Sequence, residues 1–402
     1  MARHALFAIV GQDDALDVAV RVGVEARDRG HDVSLHAPRH AAHVARVEGL
    51  AYTEVDVEDA AGCVDAICDE ADAVLVVDLL PTVSALGKKH IERFRKNERL
   101  AVLDPWDVGL GGRALDVATT RRDLPKGALL SKKRLVPAPC ASPEAEGAFR
   151  ALPEVPDEKD RKARRAAARK ALDVGEDDRV LLLSTGFWQA PELQRDKECK
   201  LLSERVPELL LDRIAGLGER VHVVHVSPYP LPGWDARLGA RYRWIVPAGL
   251  ARTANRYAAA DLVLGLDMSG ATVGWAIAWD VPLLVVASSF GGANAKEVLR
   301  NAKLSVGDAT KAWLDESVPL IPFRAWPAGL FRTLQPPPGA APSWTEAELL
   351  DEVGFRDASE ALLFDAKERE RASRAHAEYA STLAHLKGGG ELWEELAETA
   401  AK

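Results

Sequence analysis

Residues 4–10 form a short apolar run that stops at Gly11, the pattern of a strand buried on both faces. From Asp14 to Arg29 the apolar positions fall at 15, 18, 19, 22 and 26, a helical period that Gly30 ends. A strand over 33–36 follows, and this strand, helix, strand opening predicts a parallel sheet with a right-handed crossover. The alternation continues with a helix over 60–70, a strand over 73–78, a helix over 84–97 and a strand over 100–104. Pro137, Pro139, Pro143, Pro153 and Pro156 then interrupt the periodicity and mark a linker. A second series begins with a helix over 158–172 and strands over 180–184, 221–227 and 242–246. After it come a helix over 252–259, a strand over 261–266, an apolar segment over 273–278 and a strand over 281–287. The stretch 336–342 reads as a loop, and 345–399 as helical, placed to cross back over the first half.

A chain of 402 residues exceeds one ordinary core. The expected organisation is a first α/β domain over 1–145, a linker over 146–160, a second α/β domain over 161–344 and a helical segment over 345–402. The fold class is therefore α/β, two Rossmann-like parallel-sheet domains with a helical C-terminal tail.

Composition narrows the partners. The net charge of −9 argues against a nucleic-acid binder, and the one basic run, Lys159 to Lys170, reads as the solvated face of a helix. The four cysteines lack zinc or disulfide spacing and are read as reduced thiols, and the histidines form no HExxH pair. The N-terminus enters a strand without a signal-peptide core, and the most apolar stretch, 259–287, carries three aspartates. A cytoplasmic protein without a membrane span is expected, and a homodimer is compatible with everything above.

The chemistry concentrates where strands end. Asp267-Met-Ser-Gly-Ala-Thr272 opens directly into an apolar helix, so its free N–H groups and hydroxyls would meet an anion at a helix N-terminus. Ser269, Gly270 and Thr272 are the candidate contacts, although an ordinary N-cap uses the same residue types. Thr185 and Gly186 end the first strand of the second domain and offer a second phosphate-facing loop or a plain turn. Trp244 suits stacking on a base, or the core. Asp13 is a candidate general base, aided by Asp104 or Asp78, or else Asp13 caps the first helix. His222 and His225 are expected to be structural.

Several segments in this order resemble the GT-B fold of nucleotide-sugar-dependent glycosyltransferases. "HALFAIVGQDDALDVAVRVGVEARDRGHDVSLHAP" resembles their opening strand, helix and "RGH-x-V" strand. "RWIVPAGL", with Trp244 and Val246, is similar to their base-binding "W-x-P-Q" segment. "LVLGLDMSGATVGWAIAWDVPLLVV" resembles the donor signature "HCGWNSxxEALxxGVP", and "SSFGGANA", with Asn294, resembles "DQxxNA". The resemblance implies a nucleotide-sugar co-substrate of UDP or dTDP type, no tightly bound cofactor, and an inverting, metal-independent transfer to a small-molecule, natural-product or peptide acceptor. Departures are marked. Asp267 stands where the family has a phosphate-contacting His, Trp275 where it has a ribose-binding Glu, and Phe290-Gly291 where it has the sugar-holding Asp-Gln. Gln12 and Asp13 follow Gly11 in place of the family's catalytic His. These changes leave two alternatives open, a catalytically degenerate binding or partner protein in a biosynthetic pathway, and a sugar-nucleotide epimerase.

Overall fold

A computed structural model describes residues 2–9, 13–56, 59–77, 92, 96–105, 114–117, 120–123, 133–139, 142–185, 197–227, 229–247, 249–268, 271–290, 304, 306–308, 310, 311, 322–325, 329, 330, 334 and 339–401. The first lobe begins with β1 (Arg3–Phe7), α1 (Asp13–Asp28), β2 (Asp32–Ala37), α2 (Ala42–Glu48), β3 (Ala51–Glu54), α3 (Ala60–Glu70), β4 (Ala73–Val76) and β5 (Leu100–Leu103). A hairpin, β6 (Ala114–Val117) and β7 (Thr120–Asp123), precedes β8 (Lys133–Ala138) and β9 (Ala148–Arg150). Seven parallel strands form one sheet in the order β3-β2-β1-β4-β5-β8-β9. The periodic positions of α1 do what their spacing predicts: Ala15, Val18, Ala19, Val22 and Ala26 are all buried. Gly30, with φ 97, supplies the left-handed turn that ends the helix region.

The second lobe runs through α4 (Glu158–Ala171), β10 (Arg179–Ser184), α5 (Lys197–Ala215), β11 (Val221–Val226), α6 (Trp234–Leu238), β12 (Tyr242–Ile245), α7 (Leu250–Ala259), β13 (Leu262–Gly265), α8 (Ala271–Trp279) and β14 (Leu283–Ala287). A short pair, β15 (Phe323–Ala325) and β16 (Gly329–Leu330), precedes β17 (Thr345–Glu348). Its main sheet is also parallel, in the order β12-β11-β10-β13-β14-β17.

Three placements differ from the sequence reading. The segment 345–399 is not helical from its start, because Thr345–Glu348 is the edge strand β17 beside β14. Its sequence, TEAE, lacks an apolar stripe, and only Ala347 is fully buried. The proline-bearing stretch contributes β9 to the first sheet before the chain enters α4. The basic run is not simply solvated. Arg165 and Arg169 of α4 reach inward to the buried carboxylate of Asp261 at 2.6 and 2.8 Å, and the backbone N–H of Val180 donates to the same carboxylate at 2.9 Å. The helix expected over 84–97 lies almost wholly outside the described residues.

The tail ties the lobes together. α9 (Glu352–Phe364) packs on the second lobe, α10 (Ala366–Thr382) reaches α8, and α11 (Gly389–Ala401) lies on α1 of the first lobe. There Trp393 is buried against His4, whose ring stacks on His31 at 4.4 Å. Glu394 binds both Arg29 and His31, and Glu25 accepts the N–H of Gly390. Burial, then the neighbouring His31, lowers the His4 pKa to about 4. No helix among the described residues is long and apolar enough to cross a membrane.

Candidate functional site

In each sheet the strand order reverses once, between β1 and β4 in the first and between β10 and β13 in the second. Ligands of open parallel sheets bind beyond the carboxyl ends of the strands at that reversal. In the second lobe these ends carry Ser184 and Thr185 after β10, and Asp267 after β13, with Thr272 in the first turn of α8. Thr185, Asp267 and Thr272, separated by up to 87 positions in sequence, thus reach one edge of one sheet because β10 and β13 pair in parallel register. Gly186, Ser269, Gly270 and Asn294 lie outside the described residues, as do Gly11, Gln12 and Asp78.

A cavity of about 80 Å³ opens between the lobes on one side of this edge. The first lobe lines it with Leu16, Asp17 and Val20 of α1, and the second with Ser184, Thr253, Arg256 and Thr272 among others. With Tyr257 and Trp275, which also line it, its polar side-chain groups are four hydroxyls, one guanidinium, one carboxylate and one indole N–H. The wall shared by the lobes is built around Trp275. Its indole N–H donates to Asp17 Oδ2 at 2.9 Å, its ring stacks on Tyr257 at 5.5 Å, and the Arg21 guanidinium lies 5.8 Å from its centre. Arg21 also pairs with Asp17 at 3.3 Å. Burial pushes the Asp17 carboxyl above the ordinary carboxylate range, opposed chiefly by Arg21. Asp17 was not among the candidates from sequence, since it occupies an ordinary position in α1 and only the fold brings Trp275 to it.

A second set of interlobe contacts sits at the start of α7. Glu48 of α2 accepts the Leu250 N–H at 2.6 Å, and His43 approaches the carbonyl of Pro247. A first-lobe carboxylate thereby satisfies a helix N-terminus in the second lobe, where Gly249 offers no side-chain cap.

Trp244 and Val246 stand on the edge strand β12 and just beyond it, 41% and 46% exposed, with the Trp244 indole N–H fixed on the carbonyl of Ser227 at 2.8 Å. Trp244 is thus a surface ring rather than a core one. On the first lobe, Asp13 begins α1 at the strand-order reversal, and its side chain lies outside the described residues. Asp104, at the carboxyl end of β5, is fully buried and takes the Arg134 guanidinium of β8 at 2.9 Å. His225 is buried, as expected of a structural histidine, with both ring nitrogens in hydrogen bonds. Among the described residues no cluster of three or more His, Cys, Asp or Glu side chains is arranged to hold a metal ion.

Two facing parallel-sheet lobes with a crossing helical tail define the GT-B fold, and solved structures share it over their full lengths. The spinosyn rhamnosyltransferase SpnG is 15% identical with a TM-score of 0.54, covering 99% of this chain and 100% of that one. The Anabaena protein Alr3699/HepE, solved in complex with UDP and glucose, is 11% identical with a TM-score of 0.52 and 100% coverage of both chains. The spinosyn forosaminyltransferase SpnP is 12% identical with a TM-score of 0.51, covering 99% of each. Over residues 26–401 the chain matches the family described as "Family of unknown function (DUF6365)", and it belongs to that family. A comparison with curated proteins found no match.

Proposed function

We propose that this protein transfers a sugar from a nucleotide-activated donor, of UDP or dTDP type, to a small-molecule, natural-product or peptide hydroxyl. The observation that carries this reading is the meeting of Thr185, Asp267 and Thr272 at the strand-order reversal of the second sheet, beside a cleft that Ser184 and Thr272 line and α1 of the first lobe closes. Hydroxyls and helix N–H groups at that edge suit a departing diphosphate, and Ser269 and Gly270 extend the same loop. The transfer is read as inverting and metal-independent, with Asp13 as the base that takes the acceptor proton. Asp104, the candidate aid to that base, is buried and paired with Arg134. Trp244 and Val246 offer the exposed apolar ledge for a base, and Gly186 and Asn294 are the remaining donor contacts read from the sequence. Closure of the cleft around donor and acceptor would exclude water from the transfer.

The test is a thermal-shift and calorimetric panel of nucleoside diphosphates and their sugars, followed by product analysis with pooled acceptors. A saturable shift with one base supports the reading, and Gly270→Glu, which puts bulk and negative charge in the loop, should abolish it. The absence of any shift across the panel would sink it. One observation favours a second reading, a catalytically degenerate binding protein. The bond from Trp275 to Asp17 fills, with an indole and a first-lobe carboxylate, the position of the ribose-binding Glu in the family it resembles. That reading predicts a stable partner complex and no turnover of any donor.

A further inference from the structure

At the same edge of the second sheet, three polar side chains form an unbroken line of hydrogen bonds. His225 of β11 places Nε2 2.7 Å from Thr185 Oγ1 and Nδ1 2.7 Å from the Tyr242 hydroxyl. The backbone N–H of Leu231 also donates to that hydroxyl, at 3.4 Å. The rings of Trp234 and Tyr242 flank the imidazole at 6.1 and 5.9 Å. Desolvation alone brings the His225 pKa down to about 3, so the ring is neutral and carries one proton on one of its two nitrogens.

A neutral ring between two hydroxyls has two arrangements. In one, Nδ1–H donates to Tyr242 and the Thr185 O–H donates to Nε2, leaving over the phenol proton of the half-buried Tyr242. In the other, the Tyr242 O–H donates to Nδ1 and Nε2–H donates to Thr185, leaving over the Thr185 proton. Each group keeps one proton in both; only the ring proton changes nitrogen. Thr185 is 3% exposed, and its hydroxyl meets no other partner among the described residues. The second arrangement therefore strands a buried donor unless an acceptor reaches Thr185 beyond the carboxyl end of β10.

We propose that His225 and Tyr242 are positioning residues that turn the Thr185 hydroxyl into a donor for an anionic phosphate oxygen, and that binding moves the ring proton from Nδ1 to Nε2. The proposal rests on the nucleotide-donor reading above and specifies how one of its contacts is set. A phosphate oxygen is the acceptor that best rewards this change, because a hydrogen bond to a charged group is worth about twice a neutral one.

The experiment is nitrogen NMR of the protein labelled at histidine, with and without saturating UDP, the His225 signal being assigned by its loss in His225→Gln or its displacement in Thr185→Val. The free protein is expected to show the proton on Nδ1 and the UDP complex to show it on Nε2. In Thr185→Val the ring should stop responding to UDP while affinity falls about 10-fold, and Thr185→Ser should restore both. UDP that binds while the ring proton stays on one nitrogen overturns the relay and leaves the donor reading standing. A wild-type chain that binds no UDP, dTDP or other nucleoside diphosphate removes the donor reading and the relay with it.

Discussion

Asp17 joins the two lobes through single atoms. It accepts the Trp275 N–H and pairs with Arg21, and burial already disfavours its charge. Asp17→Asn keeps an acceptor for Trp275, so it is expected to change stability by less than about 1 kcal/mol in denaturant titration. Asp17→Ala leaves the buried Trp275 N–H unsatisfied and Arg21 without its ion-pair partner, and should cost about 1–3 kcal/mol. Equal effects from the two variants would show that the side chain is only packing. His4 gives a pH signature of known sign. Its folded pKa of about 4 lies below the ordinary histidine value of 6.5, so the unfolded chain binds the extra proton between those values. The His4 contribution is intact above pH 6.5 and is lost as pH falls towards 4. His225, at about 3, acts in the same direction. The melting temperature of His4→Gln is expected to fall less steeply than wild type over that window; parallel curves would contradict the assignment. Neither residue could be singled out from sequence, because a lone Asp or His in a periodic element says nothing about what a distant helix brings to it.

Among elements, internal strands such as β1, β4 and β13 were legible because both faces are buried and their apolar runs are continuous, whereas the internal strand β8, which contains Pro137, was read as the start of the linker. Some edge strands escaped, whereas the edge strand β12 was expected. β3 and β17 carry exposed polar positions and form only because a neighbour supplies their ladder. The candidate loops were legible as hydroxyl-rich strand ends, whereas their partners on α1 and α2 were not, since Asp17 and Glu48 matter only through contacts 258 and 202 residues away. α4 shows the same limit. Its arginines look like a solvated face, yet Arg165 and Arg169 hold Asp261 at the start of β13. Asp261→Ala would remove the carboxylate that pairs with both guanidinium groups and accepts the Val180 N–H, and is expected to cost about 3–5 kcal/mol. A loss below about 1 kcal/mol in urea unfolding would mean that α4 is not anchored there.

At the scale of the whole molecule, the C-terminal tail makes the two lobes one unit. α11 covers α1 with the buried Trp393, and Lys133 of β8 donates to the Leu396 carbonyl at 2.8 Å. Removing residues 388–402 uncovers the apolar face of α1, the same helix that carries Asp17 into the cleft. Such a truncation is expected to melt well below the full chain and to bind apolar dyes, while an unchanged melting curve would show that the tail is dispensable. The departures at Asp267 and Trp275 bear on the same question, because they decide whether the crevice still accepts a donor. The most direct measurement is calorimetric titration of the full chain with UDP, dTDP and the other nucleoside diphosphates. One saturable binding event, with one preferred base and lost in Gly270→Glu, is the predicted result; no heat beyond dilution with any of them would contradict the assignment of the second-lobe crevice as a nucleotide site.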